Sequence, residues 1–305
     1  MPAAQPAGAS LAGRVVGTRV FGFSQGERAG RRDDFVRAVL RGALEAQYRS
    51  GMGRADYVDL LAAGSMPEAC RLPQRYRADW LESYVSRLLG RDLREFSRLS
   101  DPLRLRSLLA GLAAAQGSET VVARLGGAVN LSASTTTSYM ELLRALHLVE
   151  RLPPWTPNLL KREVGRSKYL LTDSALAMRL TRTSPDILKD LVRGGALGGL
   201  LEAFVAAELM RQSTWCEERF TISHYRSPDG REIDLILELD DGRVIAVEVK
   251  AASSASAADA RHLRWLEGRI GDRLVAGVVF TTDDRSRHLG GRLWAVPVAA
   301  LWELG

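Results

Sequence analysis

The stretch Arg231-Glu-Ile-Asp-Leu-Ile-Leu-Glu-Leu-Asp-Asp-Gly-Arg-Val-Ile-Ala-Val-Glu-Val-Lys250 decides how the rest of the chain is read. Ile233, Leu235, Leu237 and Leu239 alternate with Asp234, Ile236 and Glu238; beyond Gly242, Ile245, Val247 and Val249 alternate with Val244, Ala246, Glu248 and Lys250. A period of two on both sides of a glycine turn predicts two antiparallel strands. With Asp240-Asp241-Gly242 as the loop, and glycine in the left-handed position such loops need, the register follows by counting. Asp234 then faces Glu248, with Lys250 one step along the same face. On the other face Ile233 pairs with Val249, Leu235 with Val247 and Leu237 with Ile245. A two-residue loop would set Asp234 against Val249, so only the longer loop satisfies both faces.

Two facing carboxylates repel each other unless a cation lies between them, and oxygen ligands suit Mg²⁺ or Mn²⁺. A lysine beside them can orient or help deprotonate a water, or steady the charge on a phosphate under attack. Asp234 and Glu248 are therefore expected to bind a metal, and with Lys250 to form a site for metal-assisted phosphodiester hydrolysis. Glu and Lys two apart on a strand also occur on ordinary solvated faces. Here Ile236 and Ala246 flank the charges, and the chain has only four lysines, at 161, 168, 189 and 250.

Asp234 followed by Glu248-Val249-Lys250 resembles the D…(E/D)-x-K signature of the restriction-endonuclease-like, or PD-(D/E)xK, nuclease superfamily. Three stretches widen the resemblance: Leu200-Leu-Glu-Ala-Phe-Val-Ala-Ala-Glu-Leu209, Arg231-Glu-Ile-Asp234 and Ala295-Val-Pro-Val-Ala-Ala-Leu-Trp302. Together they are similar to the C-terminal part of the large prokaryotic family of AAA-type ATPases that carry a C-terminal domain of unknown function. The resemblance covers most of the chain. It implies a C-terminal restriction-endonuclease-like α/β domain with a mixed sheet, in which Glu202 matches the superfamily's first-helix glutamate. The helical pattern alone favours Glu208, which falls inside the apolar stripe Leu200, Leu201, Phe204, Val205 and Leu209. A carboxylate there must be paired, liganded or aimed at a site. Both are retained, Glu202 as a fourth catalytic residue and Glu208 as a further metal ligand.

Working back toward the N-terminus, residues 10–24 are strand-like and resemble the last strand of that family's ATPase core. No G-x-x-x-x-G-K-[ST] loop occurs, so P-loop nucleotide binding is not expected. An alternative is a truncated family member that works with another ATPase chain as partner. Helical spacing covers 31–49, 56–63 and 78–93, and Gly64-Ser-Met-Pro-Glu68 resembles the family's Gly-Gly-x-Pro-Glu turn, a structural rather than catalytic element. Helices are then predicted over 103–115, 118–125 and, capped by Ser132, to about 147, with Gly126-Gly127 turning the chain between the last two. Strands at 148–152 and 167–171 complete the order of a winged helix-turn-helix. Thr136, Thr137 and Arg144 on its third helix, and Lys161, Arg162, Arg166 and Lys168 on its wing, are the predicted DNA contacts. Such modules also dock proteins.

The fold class predicted is thus α+β and multi-domain: an ATPase-core remnant (1–30), a helical connector (31–97), a winged helix-turn-helix (98–180) and the nuclease-like domain (181–305). A chain of 305 residues is long enough for this division, and a net charge of +6 favours acidic partners such as nucleic acid. Cys70 and Cys216 suggest neither a zinc site nor a disulfide framework, and the four histidines have no ligand spacing. Lacking a signal-peptide pattern and any run of about eighteen apolar residues, the protein is expected to be cytoplasmic, without a membrane partner. The function expected is DNA binding with metal-dependent phosphodiester hydrolysis. The alternative is a catalytically inactive DNA- or protein-binding regulatory module.

Overall fold

The structure, a computed structural model, describes residues 19–92, 101–156 and 165–304. The strand expected over 10–24 lies outside these residues up to 18, and from Arg19 to Ser24 the chain is irregular. Helices α1 (Gln25–Arg28), α2 (Phe35–Leu40), α3 (Arg54–Ala63), α4 (Pro67–Arg71) and α5 (Gln74–Arg87) follow, the last continuing as a π-helical turn over Leu88–Asp92. The long helix expected over 31–49 is only α2. Gly42, at φ 77°, reverses the chain, and Ala43 N–H donates to the Ala38 carbonyl, a helix-ending bond that a left-handed glycine permits. The Gly64–Glu68 turn is structural: Ser65 donates through both its backbone N–H and its hydroxyl to Asp173.

Three helices come next, α6 (Pro102–Ala114), α7 (Val122–Ala128) and α8 (Ala133–Ala145), then a two-stranded antiparallel ribbon of β1 (Val149–Leu152) and β2 (Lys168–Leu171). The middle helix starts later than predicted and runs through Gly126-Gly127 instead of ending there. A side chain on Gly126 would collide with Thr136 Oγ1, so this glycine serves close helix packing. Thr136 is accordingly fully buried, its hydroxyl donating to the Ser132 carbonyl. That corrects its predicted outward position.

After α9 (Ser174–Leu180) and α10 (Pro185–Lys189), helix α11 (Leu197–Gln212) leads into β3 (Phe220–Arg226), β4 (Glu232–Leu239), β5 (Val244–Lys250), α12 (Arg261–Ile270), β6 (Leu274–Thr281), β7 (Arg287–Gly290), β8 (Leu293–Pro297) and α13 (Ala300–Glu303). The strands form one mixed sheet in the order β3-β4-β5-β6-β8-β7, with β5, β6 and β8 parallel. Leu200, Leu201, Val205 and Leu209 of α11 share a core with Leu235, Leu237, Ile245 and Val247. On the other side, Leu263 and Leu266 of α12 cover Ile236, Val244 and Ala246. Each fully buried Leu or Val stabilises by roughly 1.5–3 kcal/mol.

The hairpin forms in the counted register: Leu235 pairs with Val247 and Leu237 with Ile245, and Gly242 turns the chain at φ 82°. One detail differs. Ser223 pairs with Ile236 but Tyr225 with Ile233, so three steps along β4 match two along β3. This bulge at Asp234-Leu235 turns Ile233 to the α12 side, away from Leu235, and the β4–β5 ladder stops at Leu235–Val247, so neither the expected pairing of Asp234 with Glu248 nor that of Ile233 with Val249 is made. Val249 N–H donates instead to Asp234 Oδ2 at 2.8 Å.

Candidate functional site

The bulge aims Asp234 toward the end of β5, where Glu248 and Lys250 stand. Asp234 and Glu248 are almost wholly buried, while about a third of the Lys250 side chain reaches solvent. Lys250 Nζ lies 2.8 Å from Glu248 Oε2. The other oxygen, Glu248 Oε1, is buried with no hydrogen-bond partner, and His262 Nδ1 lies 4.0 Å away. That imidazole nitrogen sits closer to the Glu232 carbonyl, at 2.7 Å.

Glu202 reaches the same cluster from α11. It arrives because Gly117 and Gly199 let the turn after α6 press against the helix: a side chain on Gly199 would strike the Gln116 carbonyl, and one on Gly117 would strike Glu202 Oε2. A lysine stands near both Glu202 and Asp234. Lys168, the first residue of β2, projects into the cluster, 1% exposed, with Nζ 2.9 Å from Glu202 Oε1, 2.9 Å from Glu232 Oε1 and 3.9 Å from Asp234 Oδ1. The expectation that Lys168 is an exposed wing cation is therefore corrected. Its ribbon lies against the sheet edge, so its stem is covered and its charge is directed at carboxylates.

Four carboxylates thus share two ammonium groups. Burial and the neighbouring Asp234 charge push Glu202 up to about 8, and the same two causes push Glu248 up to about 8. Burial also raises Asp234, against the pull of Lys168 and Lys250. Burial works against the charge on Lys168, yet Glu202, Asp234 and Glu232 hold it protonated well beyond the ordinary lysine range. Both members of the Lys168–Glu202 pair are raised, which a simple ion pair would not give. Burial is the larger cause for Glu202 and the neighbouring negative charge adds to it, while that same crowding of carboxylates is what raises Lys168.

Glu208 is elsewhere. It is fully buried, 2.8 Å from the Arg211 guanidinium, and accepts from Gln25 N–H at 2.8 Å, so the stripe carboxylate is paired and not part of the cluster. Of the predicted DNA contacts, Thr137 and Arg166 are exposed and Arg144 is half-buried beside Glu141. Lys161 and Arg162 lie outside the described residues. Arg231 stacks over the Trp265 ring and pairs with Asp229, beside the cluster instead of in it.

Sequence reasoning missed Glu232 and Lys168. The Arg-Glu-Ile-Asp spacing held a signal for Glu232, because residues two apart on a strand face the same way. For Lys168 the signal was the rarity of lysine in this chain.

Among the described residues, no three His, Cys, Asp or Glu side chains are gathered closely enough to hold one metal ion. What remains is the pair Asp234 and Glu248 with its unsatisfied oxygen. Two carboxylates are enough for Mg²⁺, which keeps several of its waters. Among the described residues, no helix is long and apolar enough to cross a membrane.

Residues 54–187 match a domain of unknown function, DUF8612, and residues 197–301 match a second, DUF4143, which is typically found in AAA-ATPase-associated proteins. Two mycobacterial relatives, uncharacterized protein Mb2031c of Mycobacterium bovis and uncharacterized protein Rv2008c of Mycobacterium tuberculosis, are each 26% identical over 196 residues. Those residues are 64% of this chain and 43% of each relative, so the match spans less than half the length of either. No solved structure matches the chain significantly.

Proposed function

We propose that the sheet domain is a PD-(D/E)xK-type phosphodiesterase site, and that the three helices and ribbon before it form a winged helix that presents DNA to it. The observation that carries this reading is the meeting of Asp234, Glu248 and Lys250 where β4 and β5 adjoin, with one Glu248 oxygen buried and without a hydrogen-bond partner. Asp234 and Glu248 would hold Mg²⁺ or Mn²⁺, which when bound would supply Lewis acidity and a water of lowered pKa. Lys250, anchored on Glu248 and partly open to solvent, is placed to bind a phosphate oxygen and steady its developing charge. The exposed positions of Thr137 and Arg166 support phosphate contacts by the helical module, and the DUF4143 match supports an ATPase partner.

The test is cleavage of labelled single- and double-stranded DNA in Mg²⁺ or Mn²⁺ by the wild type beside D234A and K250A. Metal-dependent cleavage lost in both variants supports the reading; cleavage surviving both refutes it. A second reading, an inactive DNA- or protein-binding module, is favoured by one observation. Lys168 already sits among the carboxylates as a cation would. Tight DNA binding without cleavage in any divalent metal would select it.

A further inference from the structure

Lys168 belongs to the ribbon, not to the sheet domain whose carboxylates it neutralises. The segment after β1 is stitched to the edge strand β3 by two backbone bonds: His224 N–H donates to the Pro153 carbonyl, and Trp155 N–H donates to the His224 carbonyl. His224 Nε2 lies 3.1 Å from the Arg166 carbonyl, two residues before Lys168. Against this narrow seam, the lysine makes two close ionic contacts and is sealed from solvent. The ribbon therefore reaches the carboxylates through this one side chain, while Trp155 packs on Tyr225 of β3 beside it.

We propose that Lys168 is a built-in counter-cation that competes with a divalent metal for this cluster, so that loading the site requires the ribbon to lift away from β3. The inference rests on the metal-site reading above. A divalent ion held by Asp234 and Glu248 would share Asp234 with the Lys168 ammonium, which lies 3.9 Å from Asp234 Oδ1. Like charges so near each other oppose joint occupancy. A partner or DNA that draws the ribbon outward would then switch the site on by vacating it. The coupling is reciprocal: metal in the cluster would loosen the ribbon.

The experiment measures Mn²⁺ affinity by electron paramagnetic resonance for the wild type, K168M and K168M/E202Q. The double variant removes one positive and one negative charge together and serves if K168M alone fails to fold. The expected result is affinity at least tenfold tighter than wild type, with the gain abolished by adding D234N. Equal affinity in wild type and variants, still lost with D234N, overturns the inference and leaves the metal site standing. No Mn²⁺ bound by any folded protein overturns both. In the wild type, hydrogen exchange at the amides of Lys168–Leu171 should quicken in saturating Mn²⁺; unchanged or slower exchange counts against the proposal.

Discussion

Arg211 gives the sharpest test of which α11 glutamate is structural. In R211M, Glu208 keeps its Gln25 N–H bond but loses a guanidinium 2.8 Å away, in a setting where both side chains are almost completely buried. The guanidinium also donates to the carbonyls of Gly22 at 3.1 Å and Thr172 at 2.9 Å, and both acceptors lose it. Breaking a buried pair from one side costs about 3–5 kcal/mol, because the remaining charge is left uncompensated. The two lost carbonyl bonds place the loss in the upper half of that range. Adding E208Q removes the stranded charge, so the double variant should recover about 2 kcal/mol of the deficit. The pH dependence has a definite sign. Burial already raises the Glu208 carboxyl against the pull of Arg211, and without that arginine it rises further above its unfolded value. The folded state then holds a proton that the unfolded state releases, so stability is kept at low pH and lost as pH rises. The R211M deficit relative to wild type should be smaller at pH 5 than at pH 8, measured by urea denaturation. A deficit below about 1 kcal/mol, or one that grows on acidification, would refute this assignment and return Glu208 to the list of site residues.

Other consequences can be measured separately. G117A should cost about 1–3 kcal/mol in thermal or urea unfolding, because position 117 has φ 79° and a side chain there would press on Glu202 Oε2 and Gly199; a neutral result would mean the α6 turn does not position Glu202. Cys216, its thiol pushed up to about 12 by burial and by Asp34, should react with a maleimide at pH 8 roughly two to three orders of magnitude more slowly than a free thiol. Modification within minutes would contradict that environment. R166E should weaken DNA binding and lower the slope of log affinity against log salt by about one, whereas an unchanged slope would remove the ribbon from the DNA interface.

The hairpin was legible because strand periodicity and a glycine turn are local properties, and agreement of both faces fixed the register without tertiary information. What escaped was set by distant partners. Gly126-Gly127 looks like a turn until Thr136 is known to fill the space beside it, and the helix over 31–49 was overextended past Gly42. Lys168 was the largest displacement. A lysine at the start of a ribbon strand reads as surface charge, and its carboxylates come from α11 and β4, far along the chain. Glu208, in contrast, carried its explanation in sequence, since Arg211 three residues on lies on the same helical face.

The central claim is that chemistry belongs to the β4–β5 cluster and not to any other buried carboxylate. The most direct measurement compares the initial rate of Mg²⁺-dependent DNA cleavage by E248Q and E208Q, each change altering one buried glutamate by a single group, under conditions where circular dichroism shows both folded. The account predicts at least a hundredfold loss for E248Q and a rate within about threefold of wild type for E208Q. Equal rates in the two variants, or no metal-dependent cleavage by the wild type, would contradict it.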